Sequence, residues 1–415
     1  MNQIMKVKAS IKRIENDLQN LRQFGKTEQN GVTRLPFTAE DKAARDYLTQ
    51  AMQAAGMQVH VDGASNVVGH LEGAKPELPI LMIGSHYDTV INGGAYDGIL
   101  GVVCALEAVR ALQECGIKPQ RSVDIIAFND EEGTRFHRGF SGSLAMIGQL
   151  TEADLNNDKD RNGISQAELM LQHGFDPHQI TSAKRQAEEL FAYLELHIEQ
   201  GPVLAQLGLD IGVVTAIVGT TRYFVEITGQ ADHAGTTPMT MRKDALAAAA
   251  AVIAKVPAYA GLADPNGVAT VGFMKVEPCA VNVVPAKVTF SLDIRSQKAE
   301  AVPVVAARIL QDVKQVCGDE LSYQVTMAMS EEPVAMDAGL QDVIEQAAKE
   351  NGYTARRMVS GAGHDAQIVA RICPVAMIFV PSQGGRSHCA VEYTSPEAIA
   401  KGAQVLLDTV IQLTK

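Results

Sequence analysis

The sequence predicts an α/β fold in which a larger domain, a central β-sheet flanked by helices, carries an inserted ferredoxin-like β-α-β-β-α-β domain. Three observations predict it. Apolar strands and helices alternate from the N-terminal helix to about Leu209. Near Ile211 the character changes to strands that alternate residue by residue, and after Glu331 the first pattern returns. A chain of 415 residues also exceeds one ordinary core, so two domains are expected. The boundaries fall at 1–211 with 331–415 for the larger domain and 212–330 for the insertion.

Ile4, Val7, Ile11, Ile14, Leu18 and Leu21 recur at steps of three and four, the mark of an amphipathic helix. "PILMIGSH" then reads as a buried strand, followed by the glycine loop "INGGAYDG" and a helix from about Ile99 to Cys115. "SVDIIAFND" and "FAYLELHIEQG" are further strands of the same kind. In the insertion, "TRYFVEITG" and "KVTFSLDIRS" alternate with period two, with "GVATVGFMKV" and "LSYQVTMAM" as their partners. "DALAAAAAVIAKV" and a stretch from about Lys298 to Val316 supply the two helices. "QDVIEQAAKE" and "CPVAMIFVPS" resume the α/β pattern.

Composition bounds the partners. With 46% apolar and 20% charged residues the chain is ordinary for a globular protein, and a net charge of −12 argues against nucleic acid as its main partner. Six scattered cysteines without a CxxC pair, no apolar leader and no run of about 18 apolar residues predict reduced thiols, a cytoplasmic location and no membrane span.

Four apolar strands end at polar groups able to hold a metal: His86, the pair Glu131-Glu132, His197, and His388 beyond a glycine loop. Such sites assemble at the carboxyl ends of strands in α/β sheets. Singly, each has an ordinary explanation. His60, His70, His173 and His178 keep that explanation, and Asp97 in "AYDGIL" could be a helix cap. Together, three histidines, Asp97 and Glu132 suffice for two divalent cations if the aspartate bridges them, and such a pair can activate a water between them. Asp88 is placed to accept the other ring N–H of His86.

The motifs "GSHYDTV", "GGAYDG", "FNDEEGTRF", "LELHIEQG", "DHAGTTPM", "VNVVP", "SGAGHDAQ" and "SHCAVEYT" occur in order over nearly the whole chain. This combination resembles the dinuclear-metal amidohydrolases that include allantoate amidohydrolase, N-carbamoyl-L-amino acid hydrolase and β-ureidopropionase, a branch of the aminoacylase/carboxypeptidase superfamily. The resemblance implies one metal on His86, Asp97 and His197 and a second on Asp97, Glu132 and His388. Zinc or manganese are the expected ions, and cobalt or nickel are acceptable to the same donors. It implies Glu131 as general base and His233, reaching from a partner subunit, as a donor to the developing oxyanion. Arg295 and Asn282 resemble the grip on a substrate carboxylate, with the insertion serving as lid and homodimer interface. His364 receives no role. Two departures stand out: His388-Cys389-Ala390 replaces the usual His-Ser-Pro, and Tyr87 stands where an aliphatic residue is usual.

Arg222 sits where the allantoate enzymes resemble it, so hydrolysis of allantoate to ureidoglycine, ammonia and carbon dioxide is the expected reaction on a small anionic ureido substrate. "NDEEGTRF" and the alanine-rich helix instead resemble the N-carbamoyl-L-amino acid hydrolases, the alternative. A non-catalytic, metal-stabilised binding protein would lack a ligand or the base, and none is missing. A serine hydrolase lacks its GxSxG elbow here.

Overall fold

The computed structural model describes residues 7–136 and 138–415. In chain order the strands are β1 (Gln58–Val61), β2 (Val67–Leu71), β3 (Ile80–His86), β4 (Val123–Phe128), β5 (Leu190–Ile198), β6 (Ile211–Ile217), β7 (Gly219–Thr228), β8 (Val268–Thr270), β9 (Met274–Glu277), β10 (Lys287–Ser296), β11 (Ser322–Glu331), β12 (Val334–Ala335), β13 (Ala355–Ser360) and β14 (Val375–Val380). The chain divides into two compact units, Met1–Thr215 with Met336–Lys415, and Ala216–Ala335. The expected boundary at 211 coincides with the first residue of β6, and the division falls further on, inside that strand.

In the larger unit the strands run in the order β1-β2-β4-β3-β5-β14-β6, with β13 also beside β6. The middle four, β4, β3, β5 and β14, are parallel to one another, and the outer strands β2 and β6 pair with them antiparallel. These are the near-continuous apolar runs of the sequence, as burial on both faces requires. Register aligns their carboxyl ends: His86 lies opposite Phe128, and His197 opposite Phe379. Helix α1 (Ile11–Gln23) buries Ile14, Leu18 and Leu21 and starts at the cap Ser10, whose side chain accepts from Arg13 N–H. Val7 precedes the helix, and Ile4 lies outside the described residues. Helix α2 (Ala39–Ala54) is capped by Thr38. Helix α3 (Ile99–Glu114) is buried along almost its whole length, so its apolar residues need no single stripe.

In the smaller unit the order is β11-β7-β10-β8, with β9 also pairing β10. The expected single strand "GVATVGFMKV" is interrupted at Gly272, where Phe273 instead exchanges hydrogen bonds with Ser291. Taking β8 and β9 as one interrupted strand, the order is β-α-β-β-α-β. Val288, Phe290, Leu292 and Ile294 of β10 are buried with the helices Ala245–Ile253 and Ala301–Cys317 in one core. Among the described residues no helix is long and apolar enough to cross a membrane.

Candidate metal centre

At the carboxyl edge of the parallel strands, the chain supplies donors from five places. His86 closes β3, and His197 is the penultimate residue of β5. Glu131 and Glu132 follow β4 by a short turn in which Asp130 takes a positive φ. His388, also at positive φ, lies in the loop after β14. Asp97 comes from the loop before α3 and makes no cap, since Gly98 occupies the cap position without a side-chain bond.

Asp97 faces two ways. Its Oδ1 lies 3.1 Å from His197 Nε2 and 3.7 Å from His86 Nε2, while its Oδ2 lies 3.2 Å from His388 Nε2. His388 Nε2 is in turn 3.5 Å from Glu132 Oε1, and His86 Nε2 is 3.8 Å from Glu131 Oε2. Donor atoms thus gather into His86–Asp97–His197, Asp97–Glu132–His388 and His86–Glu131–Glu132. A divalent metal fits this set on two structural grounds. Asp97 Oδ1 is buried without a hydrogen-bond partner, which costs free energy unless a cation or donor meets it. Backbone carbonyls also meet the outer ring nitrogens, so a proton held on Nδ1 leaves each Nε2 lone pair facing the cluster. His197 Nδ1 lies 2.9 Å from the carbonyl oxygen of Ile198, and its Nε2 accepts the Gly98 N–H at 3.2 Å. His86 Nδ1 lies 3.2 Å from the carbonyl oxygen of Asp88.

That last contact modifies the expectation for Asp88. Its carboxylate, 3.5 Å from His86 Nδ1, chiefly accepts the backbone N–H groups of Glu131 and Glu132, at 3.0 and 3.2 Å. It therefore holds the two glutamates as much as it orients the imidazole. Tyr87, the departure beside His86, is fully buried and donates to Ser65 O at 3.3 Å.

The electrostatics follow from burial and from crowded like charges. Burial pushes Glu131 well above the usual carboxylate range. His86 opposes this, and Glu132, Asp365 and Asp88 reinforce it. Burial and then Asp97 raise Glu132 to about 7. For Asp97 burial acts the same way but is outweighed by His197, His388 and His86, which hold it well below its ordinary value. The bond to Asp97 raises His388 to about 9.

Several residues that the sequence did not single out support these donors. Glu392 Oε1 accepts from the N–H groups of Tyr96 and Asp97, at 3.0 and 3.1 Å, and Ser387 Oγ lies 2.8 Å from both Glu392 Oε2 and Asp97 Oδ2, with one proton to give to either. Gln200 Nε2 donates to Asp97 Oδ2 at 3.0 Å. Glu392 and Gln200 both lie in motifs of the sequence, but neither has strand or helix periodicity to mark its direction. His364 is buried with its ring 4.5 Å from that of His197 and its Nε2 2.8 Å from Ser360 Oγ.

The other predicted site residues belong to the smaller unit, in two pairs. His233 is exposed and its Nδ1 accepts from the N–H groups of Gly235 and Thr236, which leaves the ring proton on Nε2. Beside it, the exposed Asn282 accepts at its carbonyl from Ala234 N–H. Arg222 and Arg295 share one carboxylate: Asp293 Oδ2 accepts from Arg222 at 2.7 and 3.2 Å, and its Oδ1 from Arg295 Nε at 2.8 Å.

A histidine–carboxylate cluster at the carboxyl edge of a mixed sheet, on a chain interrupted by a β-α-β-β-α-β unit, defines a two-unit α/β protein whose donors suit a divalent metal. The chain belongs to Peptidase family M20/M25/M40, whose sequence profile it matches over residues 82–412. It is 41% identical to an N-carbamoyl-L-amino-acid amidohydrolase of Paenarthrobacter aurescens, covering 96% of this chain and 97% of that one. To the allantoate amidohydrolase of Bacillus subtilis strain 168 it is 37% identical, over 98% and 99%. The solved structure of a hydantoinase/carbamoylase family amidase from Burkholderia multivorans superposes with a TM-score of 0.92 at 36% identity, covering 98% of both chains.

Proposed function

We propose that the chain is a metal-dependent amidohydrolase that removes the terminal carbamoyl group of a small ureido acid. The observation that carries the reading is Asp97, whose two oxygens face two separate sets of donors while Glu131 stands beside one of them. Two divalent cations, zinc or manganese, would be held by His86, Asp97 and His197 and by Asp97, Glu132 and His388. When bound they supply Lewis acidity and make water a better nucleophile.

Glu131 takes a proton from the attacking water as oxygen adds to the ureido carbonyl carbon. It then returns a proton to the departing nitrogen as the C–N bond breaks. The products are the free amine and carbamic acid, which decomposes to carbon dioxide and ammonia. Arg295 and Asn282 hold the substrate carboxylate, a planar guanidinium being suited to it. His233 offers its Nε2 proton to the carbonyl oxygen from a partner subunit in a cytoplasmic homodimer.

Arg222 directs the first choice to allantoate. The N-carbamoyl-L-amino acids are the second reading, supported by the engagement of Arg222 with Asp293, which leaves it less free to meet a second polar group. Turnover of allantoate, N-carbamoyl-methionine and N-carbamoyl-β-alanine is measured side by side on metal-loaded protein. Absence of turnover on all three refutes the reading. Glu131→Gln is expected to keep its metal and lose about 100-fold or more in kcat. Unchanged turnover would remove Glu131 from its role.

A further inference from the structure

Next to Tyr96, α1 and the start of the C-terminal helix Pro396–Leu413 enclose a cavity of about 80 Å³. Glu15, Leu18, Arg22, Tyr96, Thr394 and Ile399 line it. Two of its polar atoms are buried without a partner. The Thr394 hydroxyl is fully buried and unbonded. Arg22 Nε is buried and unbonded, although the same guanidinium donates to Asn30 O at 2.8 Å. Glu15, half-buried, makes no hydrogen bond or ion pair among the described residues. A buried polar group left this way costs about 1–3 kcal/mol, so the site is built for something that is itself polar. Glu15, Leu18 and Arg22 are spaced by three and four and share one face of α1, where they present an anion, an apolar side chain and a cation in turn. Ile399 adds a second apolar wall.

We propose that this cavity binds a small α-amino acid, with its carboxylate on Arg22 and Thr394, its ammonium on Glu15, and a short side chain against Leu18 and Ile399. The volume admits only a few heavy atoms. The proposal gains meaning from the reaction, and in this it rests on the function proposed above. Removing the carbamoyl group from an α-ureido acid frees an amine next to a carboxylate, so the product has the zwitterion this site recognises. The uncleaved substrate has no cation for Glu15. The cavity is also joined to the metal centre. Tyr96 forms its wall and precedes Asp97, and the N–H groups of both residues share the Glu392 carboxylate. A product molecule seated here acts on the loop that places Asp97, and such coupling is reciprocal.

The test titrates the metal-loaded full chain with L-alanine and with propionate, which lacks the ammonium, by calorimetry. Wild type, Glu15→Gln and Arg22→Gln are compared. L-alanine is expected to bind wild type, to bind both variants at least about tenfold more weakly, and to bind wild type better than propionate does. Steady-state rates on the best ureido substrate should show a non-competitive component of alanine inhibition that disappears in Glu15→Gln, with kcat in the absence of alanine unchanged. No alanine binding, equal binding in wild type and both variants, or purely competitive inhibition retained in Glu15→Gln overturns the proposal. Equal binding of propionate and alanine overturns the amino-acid assignment. The calorimetry does not depend on turnover. A chain that binds alanine through Glu15 and Arg22 but cleaves no ureido acid would keep this site and lose the proposed function.

Discussion

Glu392→Ala tests whether the loop carrying Asp97 is held by hydrogen bonds or merely by packing. Glu392 is 5% exposed; its carboxylate accepts the N–H groups of Tyr96 and Asp97 and competes with Asp97 Oδ2 for the one proton of the Ser387 hydroxyl. Truncation strands two backbone donors, each costing about 1–3 kcal/mol if it stays dry. Ser387 keeps its other acceptor, Asp97 Oδ2, so it adds little. One term opposes the loss: burial and then the Asp97 charge raise Glu392 to about 7, so removing the group relieves repulsion at Asp97. The net expectation is a loss of about 2 kcal/mol in the metal-free protein, with metal affinity falling about 10- to 100-fold because Asp97 is no longer fixed. Glu392→Gln separates the causes. The amide keeps an oxygen for the two N–H groups, its NH2 can donate to Ser387, and the charge is gone. It should stay near wild type in both measurements. Urea titration of chelator-stripped protein gives the first quantity, and competition with a chromogenic chelator for zinc or manganese gives the second. Wild-type metal affinity in Glu392→Ala, or equal damage in the two variants, would refute the reasoning.

Gly98→Ala is expected to lose metal and stability together. A Cβ there would lie 2.3 Å from His86 Cε1, and the residue has φ +67° and ψ −61°, a conformation costing a non-glycine residue about 1–3 kcal/mol; normal metal content at wild-type stability would contradict this. Asp293→Asn should raise KM for ureido acids about tenfold and leave kcat within about twofold, because it removes the charge that Arg222 and Arg295 share without touching the candidate metal donors; a fall in kcat with unchanged KM would count against a binding role. Metal binding should release protons near neutral pH. With His388 raised to about 9 and Glu132 to about 7 in the metal-free protein, both carry protons that a cation must displace. Apparent affinity should therefore climb as pH rises and level off above about 9, with an indicator dye reporting the released protons. A pH-independent affinity between about 6 and 9 would defeat the assignment of these two residues as ligands.

The histidines and glutamates of the cluster were legible because each ends or follows an apolar strand, and a strand buried on both faces has few reasons to end on an imidazole; Asp97, in the loop before α3, had no such mark. What makes them converge is register, with His86 opposite Phe128 and His197 opposite Phe379, and parallel pairing was implied by the strand–helix alternation. Glu392 was not legible in this way. It meets the Asp97 N–H from 295 positions away, out of a loop whose path no periodicity describes. Asp293 was half legible. Period two places it on the same face of β10 as Arg295, but only the pairing of Asp293 with Arg222 across β7 reveals that one carboxylate serves two guanidinium groups. The break at Gly272 was missed because its neighbours are all good strand formers.

Glu131 and Glu132 are adjacent in sequence, and their surroundings separate the roles proposed for them. Asp97 is held ionised by three imidazoles and so is poorly suited to carry a proton. Glu132 has His388 at 3.5 Å, a neighbour that favours its charged form. Around Glu131 burial is the dominant influence, and three further carboxylates, Glu132, Asp365 and Asp88, add to it against the single opposing charge of His86. The hydrogen bonds that Asp88 accepts go to the backbone of both glutamates and so fix their position without fixing the protonation of either side chain. Of the acids in the cluster, Glu131 is the one whose environment most favours taking up a proton, and a group that must accept one from water and surrender it to nitrogen needs that property.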